Sequence, residues 1–206
     1  MRYKRPFDLA ILVGAHVVLA PLWLLLWVMI PVIIKLQDRG PVFYGQLRVG
    51  TNGRIFQVLK FRSMVPNADQ IGPAWNVSED ARVTSFGRLL RKTALDELPQ
   101  LLSILKGDMS FVGPKPLAVA EHEQLVATVP GFDKRTTVRP GLTGLAQVYN
   151  ERDESERKLE LDLEYAQRMG LWLDAKLLLL SVRNTLLARW DTREGKPSGD
   201  GSENRD

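Results

Sequence analysis

The chain has 206 residues, 45% hydrophobic and 25% charged, with a formal net charge of +4. It has no cysteine and only two histidines, His16 and His122, which excludes a disulfide framework, a thiolate zinc site and a multi-histidine metal centre. Any metal is left with mainly oxygen ligands, which points to magnesium or manganese, and the basic balance suits anionic partners: phosphates, anionic lipid or nucleic acid.

Leu9 to Ile34 contains no Asp, Glu, Lys or Arg and exceeds the roughly 20 apolar residues that cross a bilayer as a helix. The run is too long for a signal-peptide core, and no small-x-small cleavage site follows Ile34. Pro21 falls in its middle, where it removes a backbone hydrogen bond and bends the helix. Both flanks are basic, with Arg2, Lys4 and Arg5 before and Lys35 and Arg39 after, so both ends prefer the cytoplasm. The residues alone leave two readings open: a simple span, and a re-entrant hairpin that enters and leaves by one face. Trp23 and Trp27 sit at an interface or simply pack.

Pro41–Tyr44 and Gly50–Phe61 read as short strands, with Thr51-Asn52-Gly53 as a hairpin turn because Asn-Gly tolerates positive φ. Asn67–Asp80 is a polar loop. Phe86–Lys92 and Asp96–Leu105 read as helices, with Leu98, Leu101, Leu102 and Leu105 forming a core face at helical spacing and Pro99 in the first turn. Gly107–Pro116 is a turn, Leu117–Thr128 a helix, and Val138–Val148 a loop or strand. Glu154–Met169 and Leu171–Trp190 are helices, the second suited to core packing or to a membrane surface. Thr192–Asp206 has the composition of a disordered tail.

Four stretches carry candidate chemistry: Lys60–Met64, Leu90–Gln100, Lys106–Pro116 and Val138–Gly144. Asp96 and Glu97 open a helix, where acids also simply complement the helix dipole. Lys60, Arg62, Arg91, Lys115 and Arg139 lie in or near Gly- and Pro-rich turns, which leave backbone N–H groups for phosphate oxygens. Each alone reads as a solvated charge. Together with an acid pair and a membrane segment they fit phosphoryl transfer: a carboxylate nucleophile, with magnesium and basic residues neutralising the transferring group. A membrane-anchored anion-binding module is the other class of reading; no RNA or DNA motif is present.

At these motifs the chain resembles the bacterial sugar transferase family, the monotopic phosphoglycosyl transferases. Leu95-Asp96-Glu97-Leu98-Pro99-Gln100, Lys106-Gly107-Asp108-Met109-Ser110 and Arg139-Pro140-Gly141-Leu142-Thr143-Gly144 occur in the family's order. The resemblance runs from about Arg5 to Trp190 and is closest to small members, like the one that starts N-linked glycan assembly in Campylobacter. It implies a re-entrant helix kinked at Ala20-Pro21, held at the cytoplasmic face of the bacterial inner membrane. It implies that Asp96 attacks the β-phosphate of a UDP-sugar, that UMP leaves, and that undecaprenyl phosphate takes the phosphosugar in a ping-pong scheme. Glu97 assists, Mg2+ (or Mn2+) is bound by Asp96 and Glu97, and Lys60, Arg91, Lys115 and Arg139 contact phosphates. The donor is an N-acetylated sugar or, for capsule or exopolysaccharide, a hexose. Two positions depart: Ala20 stands where the family often has serine, and Lys115 where it usually has arginine, which keeps the charge but loses the bidentate fork.

The expected fold is α/β of the α+β kind, mostly helical with a small antiparallel sheet. Residues 1–36 form the re-entrant membrane helix, 37–190 the catalytic domain and 191–206 the tail.

Overall fold

The computed structural model describes residues 2–71, 80–150 and 154–186. Part of the polar loop (72–79), residues 151–153, the end of the last helix and the 191–206 tail lie outside the described residues.

The apolar N-terminal run forms two helices, α1 (Lys4–Val18) and α2 (Ala20–Asp38). The break is at Leu19, whose φ of −107° and ψ of 23° leave the helical region. Pro21 therefore lies in the first turn of α2, where its missing N–H costs least. Trp23 bridges the break: its ring stacks on His16 at 4.8 Å and its indole N–H donates to the Ala15 carbonyl at 3.0 Å. Trp27 instead meets Phe61 edge-on at 5.4 Å. Among the described residues, α2 is the one helix long and apolar enough to cross a membrane.

Both ends of this segment are fastened to the same body. At the start, the Lys4 ammonium pairs with Asp174 at 2.6 Å, and Asp8 accepts from the Ser110 hydroxyl at 2.7 Å and the Phe111 amide at 3.1 Å. At the far end, Ile30 and Ile34 are buried in a cluster with Phe61 and Leu90, each worth about 1.5–3 kcal/mol of burial. Between these ends Val13, Val17, Val18, Leu22, Leu24, Leu25 and Val28 are exposed.

Strands β1 (Phe43–Val49) and β2 (Ile55–Phe61) form an antiparallel hairpin. The turn is where Asn-Gly places it, with φ of 54° at Asn52 and 78° at Gly53. β1 is longer than the sequence indicates and its polarity is inverted. Phe43, Leu47 and Ile55 are exposed, while Tyr44, Gln46 and Arg48 share the other face with Lys60, Val58 and Phe56, opposite them in register. That face is mixed: Phe56 and Val58 of β2 enter the core while Tyr44, Gln46, Arg48 and Lys60 are polar, so period-2 hydrophobicity does not mark it on β1.

After a short helix α3 (Ala68–Ile71) and α4 (Ser85–Lys92), Asp96–Leu105 is not one helix. A 3₁₀ turn over Leu95–Gln100 precedes α5 (Leu101–Lys106). A 3₁₀ turn advances 120° per residue against 100° in an α-helix, so the apolar stripe loses phase. Leu102 and Leu105 are exposed and Ile104 is fully buried instead. The segment Gly107–Pro116, expected as a turn, contains β3 (Ser110–Val112), which pairs in parallel with β4 (Gly141–Thr143). The sheet is thus an antiparallel hairpin plus a separate parallel pair. Helices α6 (Val119–Thr128), α7 (Leu145–Tyr149), α8 (Ser155–Arg168) and α9 (Leu171–Leu186) complete a mostly helical α+β fold. Their core joins Met109, Val112, Leu145, Leu161, Tyr165 and Leu177 to Leu12 of α1 and to Phe56 and Val58 of β2.

Candidate active site

Asp96 and Glu97 open the 3₁₀ turn. Ala94, which precedes the turn's first residue Leu95, has φ of 55°, a left-handed conformation that costs an alanine about 1–2 kcal/mol. That cost fixes the direction in which the acids leave helix α4. β2 packs across the turn and brings Lys60 to them, with its ammonium 2.7 Å from Glu97 and 3.9 Å from Asp96. A second cation comes from α4. Thr84 caps that helix by accepting from the Gly87 amide at 2.9 Å, and Gly87 lies so close to the Ser63 carbonyl that a Cβ there would come within 1.9 Å of its oxygen. The contact sets α4 against Lys60–Met64, and the Arg91 guanidinium donates to the Ser63 hydroxyl at 2.9 Å.

The two acids differ electrostatically. Burial, together with the charge of Glu97, pushes the Asp96 carboxyl up to about 6, although Lys60, Arg91 and Lys115 work against the rise. Burial also penalises Glu97, but Lys60 and Lys115 overcome it and hold that carboxyl down at about 2. Asp96 is 6% exposed, and among the described residues no hydrogen bond reaches its carboxylate. Glu97 is therefore the settled partner of Lys60. Asp96 is the poised group: a buried carboxylate, weakly held and ionised at neutral pH, as a nucleophile requires.

Lys115 reaches the same site from the turn after β3. Its backbone is held by Arg135, which donates to the Lys115 carbonyl at 2.8 Å and pairs with buried Asp162 at 2.7 Å. A cleft runs between Arg48, Lys60, Glu97, Gln100, Lys115 and Gly141. Arg48 is absent from the motif reading. Its one signal is an inward position two residues after Gln46 on β1, which becomes visible only once the hairpin register is known.

Two expected phosphate contacts lie elsewhere. Arg62 clamps Asp38 at the end of α2 through both guanidinium nitrogens and donates to the Pro41 carbonyl at 2.6 Å. Gly40 allows this, since a Cβ there would sit 2.8 Å from the guanidinium. Arg62 thus secures the apolar segment. Arg139 faces Asp8 of α1 at 4.0 Å and does not line the cleft. The glycine turns are also not open anion cradles. The Gly113 amide donates to the Thr143 carbonyl at 2.7 Å and the Gly141 amide to the Pro114 carbonyl at 3.0 Å. A Cβ on Gly141 would come within 2.1 Å of the Gly113 nitrogen, so these glycines serve the close approach of two backbones.

No group of three acidic or histidine side chains suited to a metal occurs among the described residues. Two adjacent carboxylates still match the way magnesium is usually held, by one or two carboxylates plus water and substrate phosphate. Asp96 and Glu97 fit that donor set.

The family model for bacterial sugar transferases matches residues 1–188. The undecaprenyl-phosphate glucose phosphotransferase of Komagataeibacter xylinus is 40% identical over 199 residues, which cover 92% of this chain and 37% of that protein. The UDP-glucose:undecaprenyl-phosphate glucose-1-phosphate transferase of Caulobacter vibrioides is 40% identical over 189 residues, 89% of this chain and 69% of that protein. The exopolysaccharide production protein ExoY of Sinorhizobium fredii is 38% identical over 202 residues, 90% and 86% of the two chains. The chain spans about two-fifths of the length of the first curated relatives it matches. With the family's model matched over nearly the whole chain, Glu97 lining one cleft with Lys60, and Asp96 buried beside them 3.9 Å from that lysine, this chain belongs to the bacterial sugar transferase family.

Proposed function

We propose that this protein transfers a sugar-1-phosphate from a UDP-sugar to undecaprenyl phosphate through a covalent intermediate on Asp96. The observation that carries the reading is the buried Asp96 carboxylate, free of hydrogen bonds among the described residues, beside Lys60, Arg91 and Lys115. In the first half-reaction an Asp96 oxygen bonds to the β-phosphorus, the bond from that phosphorus to the bridging oxygen breaks, and UMP leaves with the electron pair. In the second, an oxygen of the lipid phosphate attacks the same phosphorus and the Asp96 carboxylate is released. Lys60 offsets charge on both acids. Glu97, kept ionised, holds Lys60 in place. Mg2+, or Mn2+, would be held by Asp96 and Glu97, and when bound it supplies charge neutralisation at the transferring phosphate.

Relatives named for glucose favour a hexose donor, whereas one from Aeromonas hydrophila is named for N-acetylgalactosamine. A panel of UDP-sugars read by UMP release decides the donor, and no release from any of them would sink the reading.

The apolar segment is proposed as a re-entrant hairpin at the cytoplasmic face of the inner membrane. Its support is that Lys4 and Asp8 at one end, and Ile34 and Asp38 at the other, are fastened to one body. Single cysteines at positions 2 and 39 are expected to label from the same side; labelling from opposite sides refutes the hairpin.

The acid pair also sets a pH dependence. Asp96 attacks only when ionised, so UMP release should fall about tenfold per pH unit below about 6. Glu97→Gln removes a neighbouring negative charge and frees Lys60 for Asp96. The acid limb of its residual activity should therefore move to lower pH. A limb that stays in place in Glu97→Gln would contradict this coupling.

A further inference from the structure

Arg48 lines the cleft and, among the described residues, forms no ion pair with a carboxylate, although Glu121 and Glu97 act on it from a distance. It lies on the inner face of the hairpin, with Gln46 beside it and Phe56 opposite. One guanidinium nitrogen donates to the Pro116 carbonyl at 2.6 Å and another to the Gln46 side chain at 2.5 Å. Its Nε is buried with no partner, and no carboxylate lies within ion-pair distance among the described residues. An unmet buried N–H on a charged group costs more than an ordinary lost hydrogen bond. A purely structural arginine is expected to be satisfied by its surroundings, as Arg62 and Arg135 are with Asp38 and Asp162.

The backbone around Arg48 is tied to the Lys115 turn. The Val49 amide donates to the Leu117 carbonyl at 3.0 Å, and Arg48 forms an antiparallel bridge with Ala118. Arg48 and Lys115 are therefore held together along one wall of the cleft, with Lys60 further along it. Arg48, Lys60 and Lys115 all line this cleft, and the Arg48 Nε is left with no partner there, so the wall suits an anion.

The position along the hairpin identifies which anion. The apolar segment packs on Phe61, through Ile30, Ile34 and Trp27. Arg48 stands opposite Phe56, five residues away along β2, or about 17 Å at a strand rise of 3.4 Å per residue. Lys60 and the acids lie at the end nearer the anchor. On the membrane placement proposed above, a lipid phosphate would come from the α2 side of the hairpin, which leaves the end carrying Arg48 to the soluble substrate.

We propose that Arg48 binds the phosphate of the leaving nucleotide, the α-phosphate of the donor, with Gln46 orienting its guanidinium and Lys115 beside it. This rests on the donor being a nucleoside diphosphate sugar, as proposed above. It makes Arg48 a substrate-binding residue of the first half-reaction and leaves the second to other groups.

The test is equilibrium binding of UMP to the full-length protein in detergent, compared with Arg48→Met and Arg48→Lys, together with KM values for donor and acceptor. Loss of a charge-assisted contact of about 1.5–3 kcal/mol corresponds to roughly 10- to 100-fold weaker binding. Arg48→Met is expected to weaken UMP by at least about tenfold, to raise the donor KM in parallel, and to leave the acceptor KM within about twofold. Arg48→Lys, which keeps charge without the planar fork, should fall between. Unchanged UMP affinity in a folded variant overturns the proposal, as does a defect confined to the acceptor KM, which would assign the contact to the lipid phosphate. If Arg48→Met does not fold, the lysine variant carries the test, and wild-type UMP affinity in it overturns the proposal. Binding is measured without turnover, so the two readings fail separately. UMP affinity that depends on Arg48, with no UMP release from any UDP-sugar, would sink the transferase reading and leave the phosphate site standing.

Discussion

Replacing Asp96 with asparagine should abolish UMP release from the UDP-sugar donor, by at least about 10³-fold, because removing a nucleophile eliminates the covalent route rather than slowing it. Wild-type protein incubated with donor alone should gain the mass of one phosphosugar, and Asp96→Asn should gain none. Normal turnover by the variant, or an adduct mapped to Glu97, would transfer the nucleophile role. Stability should move the other way. Asp96 ionises with difficulty in its folded surroundings, its carboxyl lying near 6 against an ordinary value of 3.8. A carboxyl raised in the folded state contributes stability below its unfolded value and loses it as the pH rises through the folded one. At pH 7.5 the buried charge is therefore a liability that asparagine removes. Asp96→Asn should melt at a higher temperature than wild type at pH 7.5, with the gap closing toward pH 4. Higher stability with lost activity separates a chemical defect from a folding one.

Asp174→Ala should cost about 3–5 kcal/mol, the usual result of removing one member of a buried ion pair. Asp174 is fully buried and Lys4 is 4% exposed. The carboxylate accepts from the Lys4 ammonium at 2.6 Å and from the Tyr3 hydroxyl at 3.0 Å, with the Tyr165 hydroxyl 2.8 Å away. Lys4 also donates to Tyr165 at 2.7 Å. Alanine leaves the buried Lys4 ammonium without its ion-pair partner and the Tyr3 hydroxyl without its acceptor, while the Tyr165 hydroxyl keeps the Val112 carbonyl at 3.0 Å. The measurement is denaturant unfolding in detergent. The double variant Lys4→Met/Asp174→Leu should recover most of the loss, since well-packed apolar residues often replace a buried pair at little cost. Failure to recover would show that Tyr3 and Tyr165, rather than the ion pair, dominate the network. The network matters for function because it fastens the start of α1 to α8 and α9, and so sets where the apolar segment leaves the domain.

Several local signals appear in the structure where the sequence places them, although the 3₁₀ turn over Leu95–Gln100 departs from the single helix expected over Asp96–Leu105. The uncharged run, its proline, the Asn-Gly turn and the acid pair after Leu95 depend on neighbouring residues alone. The order of the motifs was enough to indicate the family, which the match over residues 1–188 bears out. Even the break in the apolar helix was legible, displaced only from Pro21 to Leu19 because a proline is best accommodated in the first turn of the following helix.

Legible in the sequence are therefore the apolar segment, the β1–β2 turn, most of the helices and the available chemistry: carboxylates, lysines, arginines and no thiol; the β3–β4 pair and the 3₁₀ turn are not. The tertiary structure alone decided which charges meet. Lys60 reaches Asp96 and Glu97 because β2 crosses the 3₁₀ turn. Arg62 and Arg139, equal candidates in sequence, are drawn elsewhere: Arg62 is itself buried and is met by the exposed Asp38, and Arg139 faces the fully buried Asp8, where an unpaired carboxylate is costly. Arg48 enters the cleft because the hairpin turns its polar face inward. The physical reason is common to all of these. Helix breaks and turns are settled by backbone preferences within a few residues. The partner of a charged side chain is settled by which distant segments exclude water together, and no local pattern carries that information.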